Sequence, residues 1–194
     1  MNQAEDKQGR VVIVSGPSGV GKSTICGEVV KRLDNVCLSV SATTRPKSPG
    51  EVDGEDYWFL SESDFRERID NDLLLEYAEV FGSLYGTPRE KVDEALRAGK
   101  TVILEIDVQG AKQVKANFPD AVMIFILPPS TKVLADRMNG RGRDDADIAE
   151  ERLDGAGAEI AAAWQYYKYM VINDDLHQAV AECVQIIKNA QSES

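Results

Sequence analysis

Short apolar runs alternate with amphipathic segments along most of the chain, and each pattern predicts its own kind of element. The β-branched run 11–14 predicts a buried strand, and Ile25, Val29 and Leu33 then recur at helical spacing. Further strands are predicted over 36–40, 101–107, 121–127 and 169–172, and further helices over 88–99, 109–117, 130–137, 148–167 and 175–190. Strands that alternate with helices form parallel sheets covered on both faces, so an α/β fold with a parallel sheet flanked by helices is expected.

The stretch 41–87 interrupts this alternation. It is rich in turn formers, such as Ser48-Pro49-Gly50, and in short aromatic or alternating runs, such as 57–60 and 75–81. This composition predicts a small mixed α/β subdomain with one helix near 63–71. The predicted organisation is therefore a polar tail, a core and an inserted subdomain, over residues 1–9, 10–40 with 88–194, and 41–87.

The helix after this insertion has a clear start signal. Thr87, Pro88 and Glu90 stand in the order of an N-cap, a first-position proline and a capping glutamate. The pattern therefore predicts that Thr87 caps a helix that ends near Gly99.

Composition indicates an ordinary globular protein. Of the 194 residues, 43% are hydrophobic and 28% are charged, which suits one compact domain with a substantial core. The first residues are polar and no apolar run reaches spanning length, so neither export nor a membrane segment is expected, and the cytoplasm is the predicted location. Cys26, Cys37 and Cys183 form no CxxC pair and no metal cluster with the one histidine, so reduced, mostly buried thiols are expected.

The net charge of −11 argues against a general nucleic-acid surface, because phosphate backbones require a basic face. Positive charge is instead concentrated in one segment, which holds four of the eleven arginines: Arg137, Arg141, Arg143 and Arg152. Residues 139–147 are rich in glycine and charge, which predicts a mobile loop. The segment 137–152 suits a lid over a polyanion, although exposed arginines are also common on helical surfaces.

The residues that follow the first strand complete the phosphate-loop pattern G-x-x-x-x-G-K-[ST] without a mismatch. Glycines let successive backbone N–H groups point at a nucleoside triphosphate, and the following helix adds its positive N-terminal end. Lys22 is expected to reach the β- and γ-phosphates, and Ser23 to bind Mg²⁺. The predicted ATP-binding residues are Gly16, Pro17, Ser18, Gly19, Val20, Gly21, Lys22, Ser23 and Thr24.

Asp107 ends an apolar strand, where phosphate-loop enzymes place a carboxylate that holds the magnesium shell. We therefore expect Asp107 to act with Ser23 on Mg²⁺; the alternative is a strand-end acid that faces solvent. Asp107-Val108-Gln109-Gly110 also fits the loose D-x-x-G pattern of GTPases. No N-K-x-D motif accompanies it, so a GTPase is disfavoured.

If the nucleotide donates a phosphoryl group, the nature of the acceptor decides which side chains are needed. The phosphate of another nucleotide has a second pKa of about 6, so it is already ionised near neutrality and needs no catalytic base. Transfer then depends on positioning two polyanions and neutralising their charge with arginines and Mg²⁺.

The chain resembles the guanylate kinases, which transfer phosphate from ATP to GMP. The resemblance runs from Val11 to about Lys188 and rests on seven segments: 16–24, 39–46, 50–57, 85–87, 104–110, 140–142 and 171–175. It implies a parallel-sheet core, an inserted GMP-binding subdomain and a lid over ATP, with ATP and GMP or dGMP as substrates and Mg²⁺ as cofactor.

Matching positions imply roles for individual residues. Lys22 and four arginines are implied in catalysis: Arg45, Arg137, Arg141 and Arg152. Asn173 matches a position beside the adenine. The implied GMP site has Arg45, Tyr57 and Tyr85 at the phosphate, Ser41, Glu76, Thr87 and Glu105 around guanine, and Asp107 as a further member.

Guanine chemistry agrees with a carboxylate at position 76. Guanine presents N1–H and an exocyclic amine side by side, and this donor pair suits one carboxylate, whereas adenine would set a lone pair against it. A buried group left unpaired in this way can discriminate by roughly 10⁴ to 10⁵. On the alternating pattern alone, however, Glu76 would be an outward residue of a strand.

One position departs from the family pattern. A second phosphate-binding arginine usually follows Arg45 by three residues, and this chain has Ser48 there, with Lys47 beside it. A lysine can approach the same phosphate as a point charge but cannot form a bidentate planar fork.

Two other functions stay open at this point. A non-catalytic guanylate-kinase-like interaction module would be expected to have a damaged phosphate loop or lid, and neither is damaged here. A kinase of another small acceptor is disfavoured by Glu76. No nucleic-acid or membrane partner is expected, and the sequence leaves both a monomer and a homo-oligomer open.

Overall fold

The computed structural model describes the backbone of residues 9–139 and 146–192, and all of their side chains except those of 139 and 146–154. The fold is mixed α/β, with a parallel sheet flanked by helices and a second, mixed sheet, which confirms the expected fold class. The chain divides into two compact units. The phosphate-loop unit comprises Val12–Asp34, Glu105–Val108 and the residues from Val122 onward, and the small-sheet unit comprises mainly Asn35–Leu104 and Gln109–Ala121.

The predicted strands and helices are present in the predicted order, and the strands Ala42–Thr43 and Ser83–Pro88 appear in addition. The strands are β1 (Arg10–Ser15), β2 (Val36–Leu38), β3 (Ala42–Thr43), β4 (Trp58–Phe59), β5 (Leu74–Val80), β6 (Ser83–Pro88), β7 (Thr101–Glu105), β8 (Val122–Leu127) and β9 (Tyr169–Ile172). The helices are α1 (Lys22–Arg32), α2 (Glu62–Asp70), α3 (Arg89–Arg97), α4 (Val108–Asn117), α5 (Thr131–Asn139), α6 (Ala146–Tyr166) and α7 (Leu176–Ser192).

The phosphate-loop unit is built on parallel strands. β1 pairs with β8 from Val12 opposite Val122, and β8 pairs in turn with β9. Helix α1 packs against α7, and α7 also contacts β8 and β9. Ile25 and Val29 are buried, as their helical spacing predicts, so the apolar face of α1 anchors the residues that follow the phosphate loop.

The small-sheet unit contains a parallel pair, β2 with β7, and a four-stranded mixed sheet in the order β4-β3-β6-β5. Helix α2 covers this sheet and buries Phe65 against Ala42 and Leu74. The predicted insertion therefore forms its own small hydrophobic core, which supports the strands that carry several predicted site residues.

The predicted helix cap at Thr87 is wrong. Thr87 lies in β6, and α3 begins at Arg89 with Pro88 as its N-cap and no side-chain hydrogen bond at that end. The hydroxyl of Thr87 donates instead to the carboxylate of Glu76. A buried carboxylate needs that donor more than an accessible helix end does, and this explains the difference.

The three cysteines are free thiols. Cys26 and Cys183 are buried and Cys37 is partly exposed, in agreement with the expectation. Burial is the main cause that raises the pKa of Cys26 and Cys183, so both thiols are protonated near neutrality. Among the described residues, none of the helices combines the length and apolar character needed to cross a membrane.

Candidate active site

The phosphate loop connects β1 to α1 and leaves the start of the helix free of side-chain caps. Gly21 is the N-cap residue with φ of 101°, it has no side chain to cap the helix, and the first turn of α1 holds no acidic residue. A Cβ at Gly21 would lie 2.6 Å from Nδ2 of Asn173, so this position requires glycine on grounds of both space and conformation. The N–H groups at the start of α1 therefore suit an anion.

Lys22 folds back over the phosphate loop. Its Nζ donates to the carbonyl oxygen of Gly16 at 2.6 Å and to that of Pro17 at 3.1 Å. The ammonium group is thus held beside the peptide groups that the sequence pattern assigns to a triphosphate.

The hydroxyl of Ser23 donates to Oε1 of Glu105 at 2.8 Å. Glu105 ends β7, and Asp107 follows it by two residues, so three oxygen-bearing side chains come from two short segments of the same unit. The described residues contain no cluster of three or more His, Cys, Asp or Glu side chains arranged to hold a metal. This donor set fits Mg²⁺, which binds through one or two protein oxygens and keeps waters and substrate phosphates as its other ligands.

Glu159, on α6, is a neighbour of this site that sequence reasoning missed. Burial raises the pKa of its carboxyl to about 7, Lys22 opposes the shift and Asp107 adds to it. An acid in a long helix has no sequence signal that separates it from a solvated one, because the phosphate loop lies more than a hundred residues away.

Asn173 joins three parts of the phosphate-loop unit. Its Nδ2 donates to the carbonyl oxygen of Val20 at 2.8 Å, and its backbone N–H donates to Leu127 at 2.8 Å. Its own carbonyl oxygen accepts from Nη2 of Arg137 at 3.0 Å. Asn173 is only 6% exposed, so the hydrogen bond from its side chain to the phosphate loop is shielded from water.

A pocket of about 460 Å³ opens at the same place. Its lining comes from the loop, α1, α5 and the segment from the end of β9 to the start of α7: Gly19, Val20, Gly21, Thr24, Arg137, Asn173, Asp174 and Leu176. Nη1 of Arg137 is buried and makes no hydrogen bond to any described residue. A buried guanidinium donor without a partner is costly, and an anionic ligand would satisfy it.

Two of the predicted lid arginines cannot be placed. Arg141 lies outside the described residues, and so does the side chain of Arg152. The predicted mobile loop 139–147 and most of the predicted lid 137–152 fall in the same region, and both stay predictions.

In the small-sheet unit, Arg45 lies among aromatic rings. Its guanidinium carbon is 5.4 Å from the ring centre of Tyr57, and the rings of Tyr57 and Tyr85 are 6.0 Å apart. The structure therefore brings together the three residues assigned to the acceptor phosphate.

Glu51 holds Arg45 in a bidentate pair. Nη2 donates to Oε1 at 2.7 Å and Nη1 donates to Oε2 at 3.1 Å. These hydrogen bonds raise the pKa of Arg45 and lower the pKa of the Glu51 carboxyl. Glu51 was missed as a site residue, because a glutamate in a turn-rich segment usually faces solvent.

Ser48 belongs to the same network. Its hydroxyl accepts from Nη1 of Arg45 at 3.0 Å, and its backbone N–H donates to Oε2 of Glu51 at 2.7 Å. Lys47, beside it, is exposed. The residue that departs from the family pattern thus helps to orient the remaining arginine.

Glu76 is buried, with 4% of its surface exposed, and its Oε1 accepts a 2.7 Å hydrogen bond from the hydroxyl of Thr87. Pairing of β5 with β6 goes from Leu74 opposite Pro88 to Tyr77 opposite Gly86, so β5 contains one extra residue between these pairs. At this register shift Leu75 and Glu76, neighbours in sequence, are both buried, and from Glu76 to Glu79 burial alternates with Glu76 on the buried side instead of the outward one.

The remaining predicted members fall in both units. Ser41 is half-buried in the small-sheet unit, and its carbonyl oxygen accepts from the N–H of Trp58 at 2.9 Å. Glu105 and Asp107 belong to the phosphate-loop unit, where Glu105 is bonded to Ser23.

Comparisons with known proteins agree with one another. The family model described as guanylate kinase matches residues 8–190. The guanylate kinase of Carboxydothermus hydrogenoformans is 50% identical over 173 residues, which cover 89% of this chain and 84% of that protein. That of Gloeobacter violaceus is 53% identical over 171 residues, 88% of this chain and 83% of that protein. The crystal structure of guanylate kinase from Anaplasma phagocytophilum matches with a TM-score of 0.80 at 32% identity, over 96% of this chain and 88% of that chain.

Proposed function

The chain belongs to the guanylate kinase family and is an ATP:GMP phosphotransferase, and we propose that the phosphate-loop unit binds ATP with Mg²⁺ while the small-sheet unit binds GMP. The reaction forms a bond from a GMP phosphate oxygen to the γ-phosphorus of ATP. It breaks the bond from that phosphorus to the bridging oxygen, which leaves with ADP, and the other product is GDP.

ATP phosphates bind the backbone N–H groups of residues 16–24, apart from Pro17, which has none; this stretch includes the start of α1. The uncapped helix end and the absence of acidic residues in its first turn support this assignment. Lys22 exchanges its bonds to Gly16 and Pro17 for the β- and γ-phosphates, and its charge follows the migrating phosphoryl group.

Mg²⁺ neutralises charge on the phosphates when it is bound. Ser23 and Asp107 would hold it, with Glu105 bonded to Ser23 from the side. The same carboxylate of Glu105 is also a candidate for the guanine site through the family resemblance, so its two roles need separate tests.

GMP binds through its phosphate and its base. Arg45, fixed by Glu51, presents its guanidinium beside the rings of Tyr57 and Tyr85, and these three residues hold the phosphate. Ser41, Glu76 and Thr87 surround guanine.

The choice of GMP as the phosphoryl acceptor rests on one observation, the buried carboxylate of Glu76. The carboxylate is 4% exposed and accepts from the hydroxyl of Thr87. Its two oxygens offer about four acceptor sites, which suit the adjacent donors of guanine, N1–H and the exocyclic amine. Adenine would leave the carboxylate facing a lone pair.

No side chain needs to act as a general base, because the GMP phosphate is ionised near neutrality. Catalysis then rests on positioning and on charge. Arg137, whose Nη1 lacks a partner in the described part of the chain, is one donor to the transferring phosphate. Arg141 and Arg152 are proposed as the others, on the resemblance alone.

A non-catalytic interaction module is disfavoured by the same residues. Such a module has no use for an intact Lys22 and Ser23, or for a buried arginine donor that has no partner among the described residues. We further propose a cytoplasmic enzyme of purine nucleotide metabolism, with no nucleic-acid partner.

ADP release with ATP and Mg²⁺ tests the acceptor choice directly. The panel is GMP, dGMP, AMP, CMP and UMP, and turnover is expected with GMP and dGMP and to be weaker by several orders of magnitude with the others. Comparable kcat/KM for AMP and GMP would contradict the assignment.

A further inference from the structure

Gln113, on α4, pairs with the backbone of β5. Its Nε2 donates to the carbonyl oxygen of Tyr77 at 2.8 Å, and the N–H of Tyr77 donates to its Oε1 at 3.3 Å. A glutamine amide has the same donor and acceptor as a peptide group. Because β5 is an edge strand of the small sheet, Gln113 takes the place of a missing strand neighbour at one residue.

The contact falls where β5 is least regular. Between the pairs Leu74 with Pro88 and Tyr77 with Gly86, β5 advances three residues and β6 advances two. The extra residue interrupts the regular hydrogen bonding between β5 and β6 at this point. Tyr77 is the first residue to resume the ladder, and Glu76 precedes it directly.

The other contacts at Glu76 act from different directions. Thr87 donates to the carboxylate from β6. The backbone of Gly86 lies close to the peptide group of Glu76, because a Cβ added to Gly86 would be 2.9 Å from the carbonyl oxygen of Glu76. Gln113 holds the next residue along the strand. Contacts from β6 and from α4 therefore hold the bulge in place on both sides of Glu76.

We propose that Gln113 is a positioning residue for guanine recognition, because its amide fixes the Tyr77 peptide groups and with them the direction of the Glu76 carboxylate. The proposal rests on the assignment of Glu76 to guanine. Two parallel hydrogen bonds to a purine edge tolerate errors of only about 0.5 Å, so a site of this kind needs a supporting shell.

Gln113 could instead only anchor α4 to the sheet. Both of its hydrogen bonds are accessible to water, so either role implies a modest effect on stability. The two roles differ in kinetics. A mere anchor leaves the KM for GMP unchanged in the folded protein, whereas a positioning residue raises it and lowers discrimination between bases.

The test compares Gln113→Ala and Gln113→Met, which is similar in length but has no amide, with Asn117→Ala. Asn117 is a matched control, because it is an amide on the same helix whose side chain, in the described part of the chain, donates to the backbone of Gln113. Steady-state kinetics give kcat, the KM for GMP, the KM for ATP and the ratio of kcat/KM for GMP over AMP.

Both Gln113 variants should raise the KM for GMP by about 5- to 30-fold, the factor that corresponds to losing about 1–2 kcal/mol of hydrogen bonding, and should lower the GMP-to-AMP ratio. The KM for ATP should stay within about twofold, and Asn117→Ala should leave all four quantities within about twofold. Measuring two substitutions ensures a result if one variant does not fold.

The same measurements on Glu76→Gln, alone and combined with Gln113→Ala, separate the two claims. If Glu76→Gln loses its preference for GMP while both Gln113 variants retain the parent KM, the positioning role is wrong and the proposed function stands. If Glu76→Gln keeps its preference for GMP, the guanine site itself is wrong. A full additional effect of Gln113→Ala in the Glu76→Gln background would also overturn the proposal, because Gln113 would then not act through Glu76.

Discussion

Asn173 donates a hydrogen bond of 2.8 Å from its side-chain amide to the carbonyl oxygen of Val20, which lies within the phosphate loop. The bond is buried and spans 153 residues of sequence. It commits the amide nitrogen of Asn173 to the shape of the loop, so the affinity of the loop for triphosphates should depend on it whatever base the donor carries.

Asn173→Ala should therefore raise the KM for ATP by about 5- to 30-fold, the effect of losing about 1–2 kcal/mol of buried hydrogen bonding. The KM for GTP as an alternative donor should rise by a similar factor, and the KM for GMP should not change. Gln185→Ala is the control, since Gln185 is an exposed amide of the same unit bonded to Asn189. A loss confined to ATP would show that Asn173 reads adenine instead.

Ser48→Arg should lower the KM for GMP. It places a second cation beside Arg45, and a well-aligned charge-assisted bond contributes roughly 1.5–3 kcal/mol, of which part is lost because the introduced guanidinium would compete for Glu51. We expect KM to fall about 3- to 10-fold with kcat within about twofold. Ser48→Gln, which has no charge, should not lower KM, and initial rates at varied GMP measure both.

Lys47 is tested in the same background. Lys47→Ala should raise the KM for GMP in the parent but much less beside Ser48→Arg, because two cations would serve one phosphate. Additive effects of the two substitutions would show that Lys47 does not act on that phosphate.

Glu159 predicts a pH dependence of stability. Burial raises its pKa from 4.5 to about 7, so the folded state binds a proton more tightly than the unfolded state. Its contribution is fully present below about pH 4.5 and is lost as pH rises through about 7, with an upper limit of about 3 kcal/mol. Glu159→Gln should exceed the parent in free energy of unfolding by a small amount at pH 5 and by a larger amount at pH 8.

Urea unfolding at several pH values measures this difference. Glu182→Gln, an exposed acid on α7, provides the control and should show little pH-dependent difference from the parent. If the free energies of unfolding of Glu159→Gln and of the parent differ by the same amount from pH 5 to pH 8, burial of Glu159 is not the cause of the raised pKa.

Local patterns predicted the parts of the fold that local physics determines. The run 11–14 becomes β1 because four consecutive apolar side chains must be buried, and Ile25 and Val29 lie on the buried face of α1. Ser130 caps α5 by accepting a 3.2 Å hydrogen bond from the N–H of Val133, so the start of this helix is also determined locally. The phosphate loop is equally local, because one turn contains the whole pattern.

The parts that escaped prediction depend on contacts between distant segments. The alternation around Glu76 gives the wrong face because an extra residue in β5 shifts the register, and no pattern within β5 reveals how β6 pairs with it. Thr87 has a good cap signal, yet its hydroxyl goes to Glu76. Gln113 is a polar residue on an ordinary helix, and Asn173 is expected beside the adenine; only the folded chain shows what their amides bind.

The central claim is that the buried carboxylate of Glu76 makes this phosphotransferase a GMP kinase, and the kcat/KM for GMP relative to AMP in Glu76→Gln tests it most directly. The substitution keeps the size of the side chain but places an amide against the donors of guanine. The account predicts that kcat/KM for GMP falls by at least about 10²-fold, or ~2.7 kcal/mol, while the KM for ATP stays unchanged. A folded Glu76→Gln protein that prefers GMP over AMP as strongly as the parent would contradict it.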